Sequence, residues 1–421
     1  MAKKIPFQGK SILLGVTGSI ACYKAADLAS KLAQAGANVD AILTQAALQF
    51  ITPLTFQSVT GRRAYSDTDL WGQAGHVLHV GLGHTADLLV IAPASANTLA
   101  KLAHGLADNL LTVTALAAGC PLLIAPAMDV AMYQNPATLS NLETLRQRGA
   151  ILIGPAEGRL ASGLSGPGRM VEVEELLGHI RQVLGRNGPL KGRHVVVTAG
   201  GTQEPIDPVR YISNRSSGKQ GYALAQAALD LGAQVTLVSG PTHLPTPVGA
   251  QRVNIATAEE MLSAVLEAIP RADALLMAAA VADFRPVQIA SQKIKKDSGI
   301  DKILMRPTTD ILGTLARMKA EGSFSDRWAP ILVGFAAESQ DLLQNARAKL
   351  EAKQLDLIAA NDIRAVDSGF GSENNQVTLL SPHDPPQELP LMSKEEVAQV
   401  ILERVISLIQ AREQANPPAG K

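Results

Sequence analysis

Two segments rich in glycine and hydroxyl groups suit the capture of an anion. The first, Gly15-Val16-Thr17-Gly18-Ser19, lies between a strand-like apolar run and an alanine-rich helical run. Glycines there let backbone amides close on a phosphate at a helix start, and the hydroxyls of Thr17 and Ser19 add donors. A tight turn that binds nothing uses the same residues, so this segment alone decides little. The second, Tyr211-Ile212-Ser213-Asn214-Arg215-Ser216-Ser217-Gly218-Lys219-Gln220-Gly221, is longer and opens another alanine-rich helix. Two hydroxyls, a glycine and a lysine at Ser216–Lys219 describe a phosphate cradle. The spacing is not that of a P-loop, and the plain alternative is a solvated polar loop.

Other groups stand where apolar runs end. Leu88–Ala92 leads to Ser95 and Asn97, and Ile124–Ala127 leads to Met128 and Asp129. A flexible stretch, Leu160–Met170, carries Ser162 and ends near Arg169. Farther on, Met277–Ala280 runs into Asp283, Phe284 and Arg285, a charged pair at the carboxyl end of a strand, where sites in such sheets form. Lys293, Lys295 and Lys296 read either as a solvated charge run or as a lid bringing ammonium groups over phosphates. Gly81–Ala86 matches G-x-G-x-x-A but precedes a strand instead of following one, the wrong context for a dinucleotide fingerprint.

The elements that must position these groups alternate between strand and helix. Strands are expected at Ser11–Val16, Val39–Leu43, Leu88–Ala92, Leu122–Ala125 and Ala150–Ile153, with helices between, the first at Ala21–Gln34. The pattern restarts at His194–Thr198, with a helix at Gly221–Leu231 and strands at Gln234–Val238, Ala274–Ala278, Ile331–Phe335 and Leu357–Ala360. The expected fold is α/β, two doubly wound Rossmann-like domains with mainly parallel sheets. The turn-forming, charged stretch Arg186–Lys191 sets the boundary, giving domains 1–189 and 190–421, the latter ending in a disordered tail.

Composition narrows the chemistry. Lys+Arg 38 balances Asp+Glu 38, so no global field favours nucleic acid or an anionic membrane, and any anion site is local. Aromatic residues are only 3%, too few for a base-stacking surface. Cys22 and Cys120 form neither a disulfide framework nor a zinc motif. The uncharged window Leu110–Met128 is broken by Gly119, Cys120 and Pro121, so it reads as a helix followed by a strand, not as a membrane span. The start lacks the pattern of a signal peptide, and a cytoplasmic protein is expected.

Residues 10–180 resemble the flavin-dependent cysteine decarboxylases, above all those acting on phosphopantothenoylcysteine. The resemblance implies FMN held by Gly15, Thr17, Gly18, Ser19, Thr44, Ser95 and Asn97. It makes His79, eight residues before Asp87, the catalytic histidine, with His76 and His84 as rivals that fit the pattern less well. It implies oxidation of the substrate's thiol to a thioaldehyde, loss of carbon dioxide to an enethiolate, and return of the electrons. Two residues depart from the family: Asp129 stands for an asparagine that holds the substrate carboxylate, and Ser162 for a flap cysteine that helps protonate the intermediate. Serine is a far weaker acid than cysteine.

Residues 190–405 resemble the phosphopantothenoylcysteine synthetases, through the segments quoted and through Gly334–Glu338 and Ala360-Asn361-Asp362. That resemblance implies activation of 4′-phosphopantothenate by CTP to an acyl-cytidylate, then attack by L-cysteine. Asn214 would position the acyl-cytidylate, Lys293 would assist its formation or aminolysis, and Arg210 would aid substrate binding or the second step. Ser216, Ser217, Gly218 and Lys295 would meet phosphates, and Ala279, Phe284 and Phe335 would line the nucleotide pocket. Asp283 would help hold Mg²⁺. Arg306 departs from the family, replacing a lysine from a neighbouring position. Together the halves imply a bifunctional enzyme of coenzyme A biosynthesis, a homo-oligomer of dodecameric symmetry with small-molecule substrates. The alternative is an active ligase with a flavin-binding assembly module in front.

Overall fold

In the computed structural model, described for residues 6–71, 77–295, 302–323, 329–338, 341–362 and 371–415, the chain forms two compact units, Met1–Leu184 and Gly185–Lys421. The tail from 416 onward, Lys296, Asp297 and His76 lie outside the described residues.

The first unit runs β1 (Ser11–Val16), α1 (Cys22–Gln34), β2 (Asn38–Leu43), α2 (Pro53–Thr60), β3 (Ala64–Ser66), α3 (Leu78–Thr85), β4 (Leu88–Ala94), α4 (Ala96–His104), α5 (Leu110–Ala117) and β5 (Leu122–Pro126). It continues through α6 (Val130–Tyr133), α7 (Pro136–Gln147), β6 (Ile151–Leu152), a hairpin of β7 (Ala156–Arg159) and β8 (Ser165–Arg169), and α8 (Val173–Gly185). The sheet order is β3-β2-β1-β4-β5-β6, parallel throughout. Strand β1 is a continuous apolar run because both its faces are covered. Ile12, Leu14 and Val16 pack with α1 residues Ala25, Leu28, Ala29 and Leu32, and Leu13 packs on the opposite side with Leu99 and Leu111.

The second unit contains β9 (His194–Ala199), β10 (Gln203–Pro205), β11 (Tyr211–Ser213), α9 (Lys219–Asp230), β12 (Gln234–Ser239), β13 (Ala250–Asn254), α10 (Ala258–Ala268), β14 (Ala274–Met277), β15 (Phe284–Pro286) and β16 (Met305–Pro307). Then follow α11 (Ile311–Ala320), β17 (Ile331–Glu338), α12 (Leu342–Ala352), β18 (Leu357–Asp362), β19 (Asn374–Asn375), β20 (Val377–Leu380), β21 (Gln387–Glu388), β22 (Met392–Ser393) and α13 (Lys394–Ala415). Its main sheet is ordered β13-β12-β9-β14-β17-β18-β20-β21, parallel as far as β18 and antiparallel beyond. Helices α9 and α13 cover one face, and α10, α11 and α12 the other. Both units are thus the expected doubly wound α/β folds, and in each the strand order reverses beside the opening strand, leaving a crevice at the carboxyl ends.

One device recurs at the opposite edge. Asp87, just before β4, accepts the Ser11 amide through Oδ2 at 2.8 Å while its own amide donates to the Ser11 carbonyl. Asp273, before β14, does the same with His194, and Asp356, before β18, with Leu332. Each carboxylate also meets a cation: Lys10, Arg193 and Arg412 respectively.

The expected strands form with small shifts of their ends. Strands β3, β13, β20 and β21 were not foreseen, being short or polar. The Leu110–Met128 window is helix α5 and strand β5, and among the described residues no helix is long and apolar enough to cross a membrane.

Candidate active sites

In the first unit, the Gly15–Ser19 turn, Thr44, Ser95 and Asp129 all lie at the carboxyl ends of neighbouring strands β1, β2, β4 and β5. Thr17 is buried and its hydroxyl is committed: it donates to the Pro93 carbonyl at 2.8 Å and accepts the Ser95 amide at 2.8 Å. It therefore shapes the crevice by tying β1 to β4. Ser95 caps α4 by accepting the Thr98 amide, and Thr44 similarly accepts the Ala47 amide. Gly18 approaches Ala46 so closely that a Cβ would lie 2.6 Å from that residue's own Cβ. Ser19 and Asn97 remain at the surface of the crevice.

His79 is half-buried on α3, and among the described residues its Nδ1 is buried with no hydrogen-bond partner. A buried ring nitrogen without a partner is costly unless a ligand or substrate meets it. The glycine turn, the surface amide of Asn97 and this orphaned nitrogen fit a bound flavin and its substrate.

The flexible Leu160–Met170 stretch is largely the β7–β8 hairpin, and it docks on the Met128–Val130 segment. The Met128 amide donates to the Gly168 carbonyl at 2.9 Å. Gly168, at φ +153, leaves no room for a Cβ against the Met128 carbonyl, and a Cβ on Gly166 would lie 2.9 Å from Val130 Cγ2. Across this contact Ser162 Oγ donates to Asp129 Oδ2 at 2.6 Å. Asp129 Oδ1 caps α6 by accepting the Ala131 amide at 3.0 Å. The Ser162 hydroxyl and the Ala131 amide hold the Asp129 carboxyl below its ordinary range. Lys24 is buried and reaches the hairpin's exit, donating to the Met170 carbonyl and pairing with Glu172.

In the second unit a cavity of about 530 Å³ opens at the start of α9, a size suited to a small-molecule substrate. Of the residues singled out from the sequence, Asn214, Ser216, Ser217, Gly218, Ala279, Asp283 and Phe335 line it. Asn214 Nδ2 donates to the Ala280 and Val281 carbonyls at 3.3 and 3.2 Å, tying the cradle to the turn after β14. Gly218 starts the helix at φ +81, and a Cβ on Gly221 would lie 2.5 Å from that of Ala199, so the helix start sits directly on β9.

Arg210, Phe284, Lys293, Lys295 and Arg306 are not among the residues lining this cavity. Phe284 and Arg306 lie on the β15–β16 ribbon, both exposed. Arg210 is held by Asp207, whose buried carboxylate also accepts the Val209 and Ile294 amides. The Arg210 guanidinium holds the Asp207 carboxyl far below its ordinary range and donates in turn to the Ile294 carbonyl at 2.8 Å. Arg210 thereby fixes the backbone beside Lys293, which is itself exposed. The side chains of Glu338 and Asp362 lie outside the described residues.

Sequence reasoning missed the lysines Lys349 on α12, Lys353 just past its end and Lys394 at the start of α13, which line the cavity. Lys349 donates to the Phe335 carbonyl at 3.0 Å, Lys353 pairs with Asp310, and Lys394 donates to the Ser372 carbonyl at 2.6 Å. Burial, then the nearby charge of Lys219, pushes the Lys394 ammonium below its ordinary range. Their spacing on helices resembles that of surface charge, so only folding shows their convergence. Among the described residues no group of three or more His, Cys, Asp or Glu side chains is placed to hold a metal.

Known proteins match both units. Residues 3–185 match a family described as flavoprotein, and residues 190–409 match the DNA/pantothenate metabolism flavoprotein C-terminal domain. The coenzyme A biosynthesis bifunctional protein CoaBC of Bacillus subtilis is 45% identical over 402 residues, covering 95% of this chain and 97% of that protein. Its counterpart from Mycobacterium bovis is 43% identical over 419 residues, covering 97% and 98%. Among solved structures, the C-terminal domain of a coenzyme A biosynthesis bifunctional protein aligns at 38% identity, covering 53% of this chain and 99% of its own, with a TM-score of 0.45.

Proposed function

This chain belongs to the family of coenzyme A biosynthesis bifunctional proteins, joining a ligase and a decarboxylase, and on that premise we propose which residues serve each reaction. The ligase half, residues 190–421, condenses 4′-phosphopantothenate with L-cysteine through an acyl-cytidylate formed from CTP. The supporting observation is the convergence of Asn214, the Ser216–Lys219 helix start and the three lysines on one cavity. The backbone amides at Ser216–Gly218 bind phosphate, Lys349 and Lys353 neutralise the triphosphate, and Ala279 and Phe335 hold the base. Asn214 positions the acyl phosphate. Arg210 orders the segment that carries Lys293 and Lys295, whose ammonium groups close on the reacting phosphate when substrate is bound. Asp283 would help hold Mg²⁺, whose charge would neutralise phosphate oxygens.

The decarboxylase half, residues 1–189, acts on the ligase product and gives 4′-phosphopantetheine. The Gly18 and Ser19 amides, the Ser19 hydroxyl and Asn97 would hold FMN in a crevice shaped by Gly15, Thr17, Thr44 and Ser95. Bound FMN would supply a two-electron oxidation of the substrate's thiol and the return of those electrons at the end. His79 moves the proton that the thiol loses, and the hairpin bearing Ser162 covers the reacting carbon. A homo-oligomer, built as a dodecamer from threefold flavin units and twofold ligase units, belongs to the same proposal; exposed Ile20 and Tyr23 beside the phosphate turn offer apolar contact surface.

Purified protein given 4′-phosphopantothenate, cysteine, CTP and Mg²⁺ tests this reading. Pyrophosphate release, flavin absorbance, carbon dioxide release and a product of the mass of 4′-phosphopantetheine are expected. No pyrophosphate would overturn the ligase assignment. Accumulation of phosphopantothenoylcysteine despite bound flavin would overturn the decarboxylase assignment.

A further inference from the structure

The first unit holds another cavity, of about 310 Å³, at the edge of its sheet away from the glycine turn. It lies where β4, β5 and β6 begin, among helices α4, α5 and α7, and so is separate from the flavin crevice. Its volume is at the small end of ligand pockets, which run roughly 300–1,000 Å³. The floor is apolar: Leu89 and Leu145 are buried, and Leu102 and Leu122 are half-buried. Leu106 and Leu116 extend that surface at the margin, where they are 56% and 67% exposed. Leu116, Cys120 and Leu122 come from the uncharged Leu110–Met128 window, whose apolar surface the packing of α5 and β5 uses only in part.

One charge at this cavity stands unpaired. Lys101 is held by Asp108, Asp87 by Lys10, and Glu143 by Arg146. The carbonyls that end α4 accept the Gly105 and Leu106 amides, and those that end α7 accept the Gly149 and Ala150 amides. These caps blunt the negative field of the helix ends, which would otherwise repel an anion. Burial pushes the Cys120 thiol up, which keeps it neutral. Arg148 lies on the rim just past α7; it is exposed, and it meets no carboxylate among the described residues.

We propose that this cavity binds a small monocarboxylate with an apolar body. The carboxylate sits on Arg148, whose guanidinium fork matches its two oxygens, and the hydrocarbon part lies on the leucine floor. A phosphate monoester fits less well. It brings more charge and more acceptor oxygens, and the lining offers no second unpaired cation among the described residues and few donors. The site takes part in neither reaction assigned above, and its occupancy is independent of them.

The test uses the full-length protein with hexanoate as the probe, and hexanamide and hexylamine as its neutral and cationic counterparts. Calorimetry gives affinity, and mass-mapped alkylation by iodoacetamide reports access to Cys120, with the buried Cys22 as the unreactive reference. Hexanoate is expected to bind once per chain at about 1 mM or tighter and to slow Cys120 alkylation. Hexanamide should bind about tenfold more weakly, since it loses the charged hydrogen bonds. Arg148→Gln, a change at an exposed position, should weaken hexanoate roughly 10–100-fold and leave hexanamide unchanged; its thermal unfolding midpoint should match that of wild type. No saturable binding of hexanoate, binding that leaves Cys120 alkylation untouched, equal affinity in a folded Arg148→Gln, or hexylamine binding as tightly would each overturn the proposal. Alkylation that is blocked without any probe and speeds up on dilution would show a second copy of the chain covering the cavity, and would overturn it as well.

Discussion

At the scale of single residues, the two units expose different kinds of chemistry. His79 offers a buried ring nitrogen that nothing in the described protein meets. His79→Asn is expected to slow decarboxylation by about 10²–10⁴-fold, as loss of an acid–base group does, while flavin absorbance stays unchanged. In the second unit, Lys349→Ala and Lys353→Ala should each lower kcat/KM for CTP by roughly 10–100-fold, as removal of a hydrogen bond to a charged group does. Pyrophosphate release at varied CTP checks this. The cradle Ser216–Lys219 and Asp283 were legible because their types cluster within a few residues. Lys349, Lys353 and Lys394 were not, because their meeting depends on α12 and α13 packing around one sheet. The contact between Asp129 and Ser162 was equally hidden: each was visible as a departure, and only the hairpin's docking shows that they form a pair.

Elements show where local chemistry was readable and where it was overridden. The glycine-rich stretch 163–168 suggests flexibility, yet it forms an antiparallel hairpin because its glycines permit close docking. Gly168→Ala would force a Cβ against the Met128 carbonyl at a backbone angle L-residues avoid. Strain of about 1–3 kcal/mol is expected, undocking the hairpin. Protease cleavage within 157–166 should rise and decarboxylation fall, with pyrophosphate release untouched. Helix α11 gives a second case. Asp310 caps it by accepting the Gly313 amide at 2.8 Å and also pairs with Lys353. Asp310→Ala should cost about 1 kcal/mol of stability in thermal unfolding, whereas Asp310→Asn keeps the cap and most of that stability. The long buried strands and amphipathic helices were legible from periodicity. Short strands such as β3 and β21 were not, since a run of two or three residues carries no period.

Over the whole molecule, the two units call for separate responses to removal of their ligands. Chelation of Mg²⁺ is expected to stop pyrophosphate release while flavin absorbance and turnover of supplied phosphopantothenoylcysteine persist; parallel assays with excess chelator check it. Acid should weaken the first unit in part through Asp87. Burial opposes its ionisation, but the Ser11 amide and Lys10 outweigh that and hold it below its ordinary value. Its contribution is therefore complete above the unfolded value, about 3.9, and is lost as pH falls through the lower folded value. Asp87→Asn should flatten that part of the acid-unfolding curve.

The aspartates at the openings of β4, β14 and β18 also act as a datum. Parallel strands have no tight turn to fix their alignment, and a slip of one residue would turn every side chain to the other face. By gripping both main-chain groups of one residue on the neighbouring strand, Asp87, Asp273 and Asp356 set the zero from which each strand is measured. Six residues along β1, roughly 20 Å away at ~3.3 Å per residue, that measurement decides where the glycine turn begins. The dimensions of both sites are fixed from the ends of the sheets that substrates never reach.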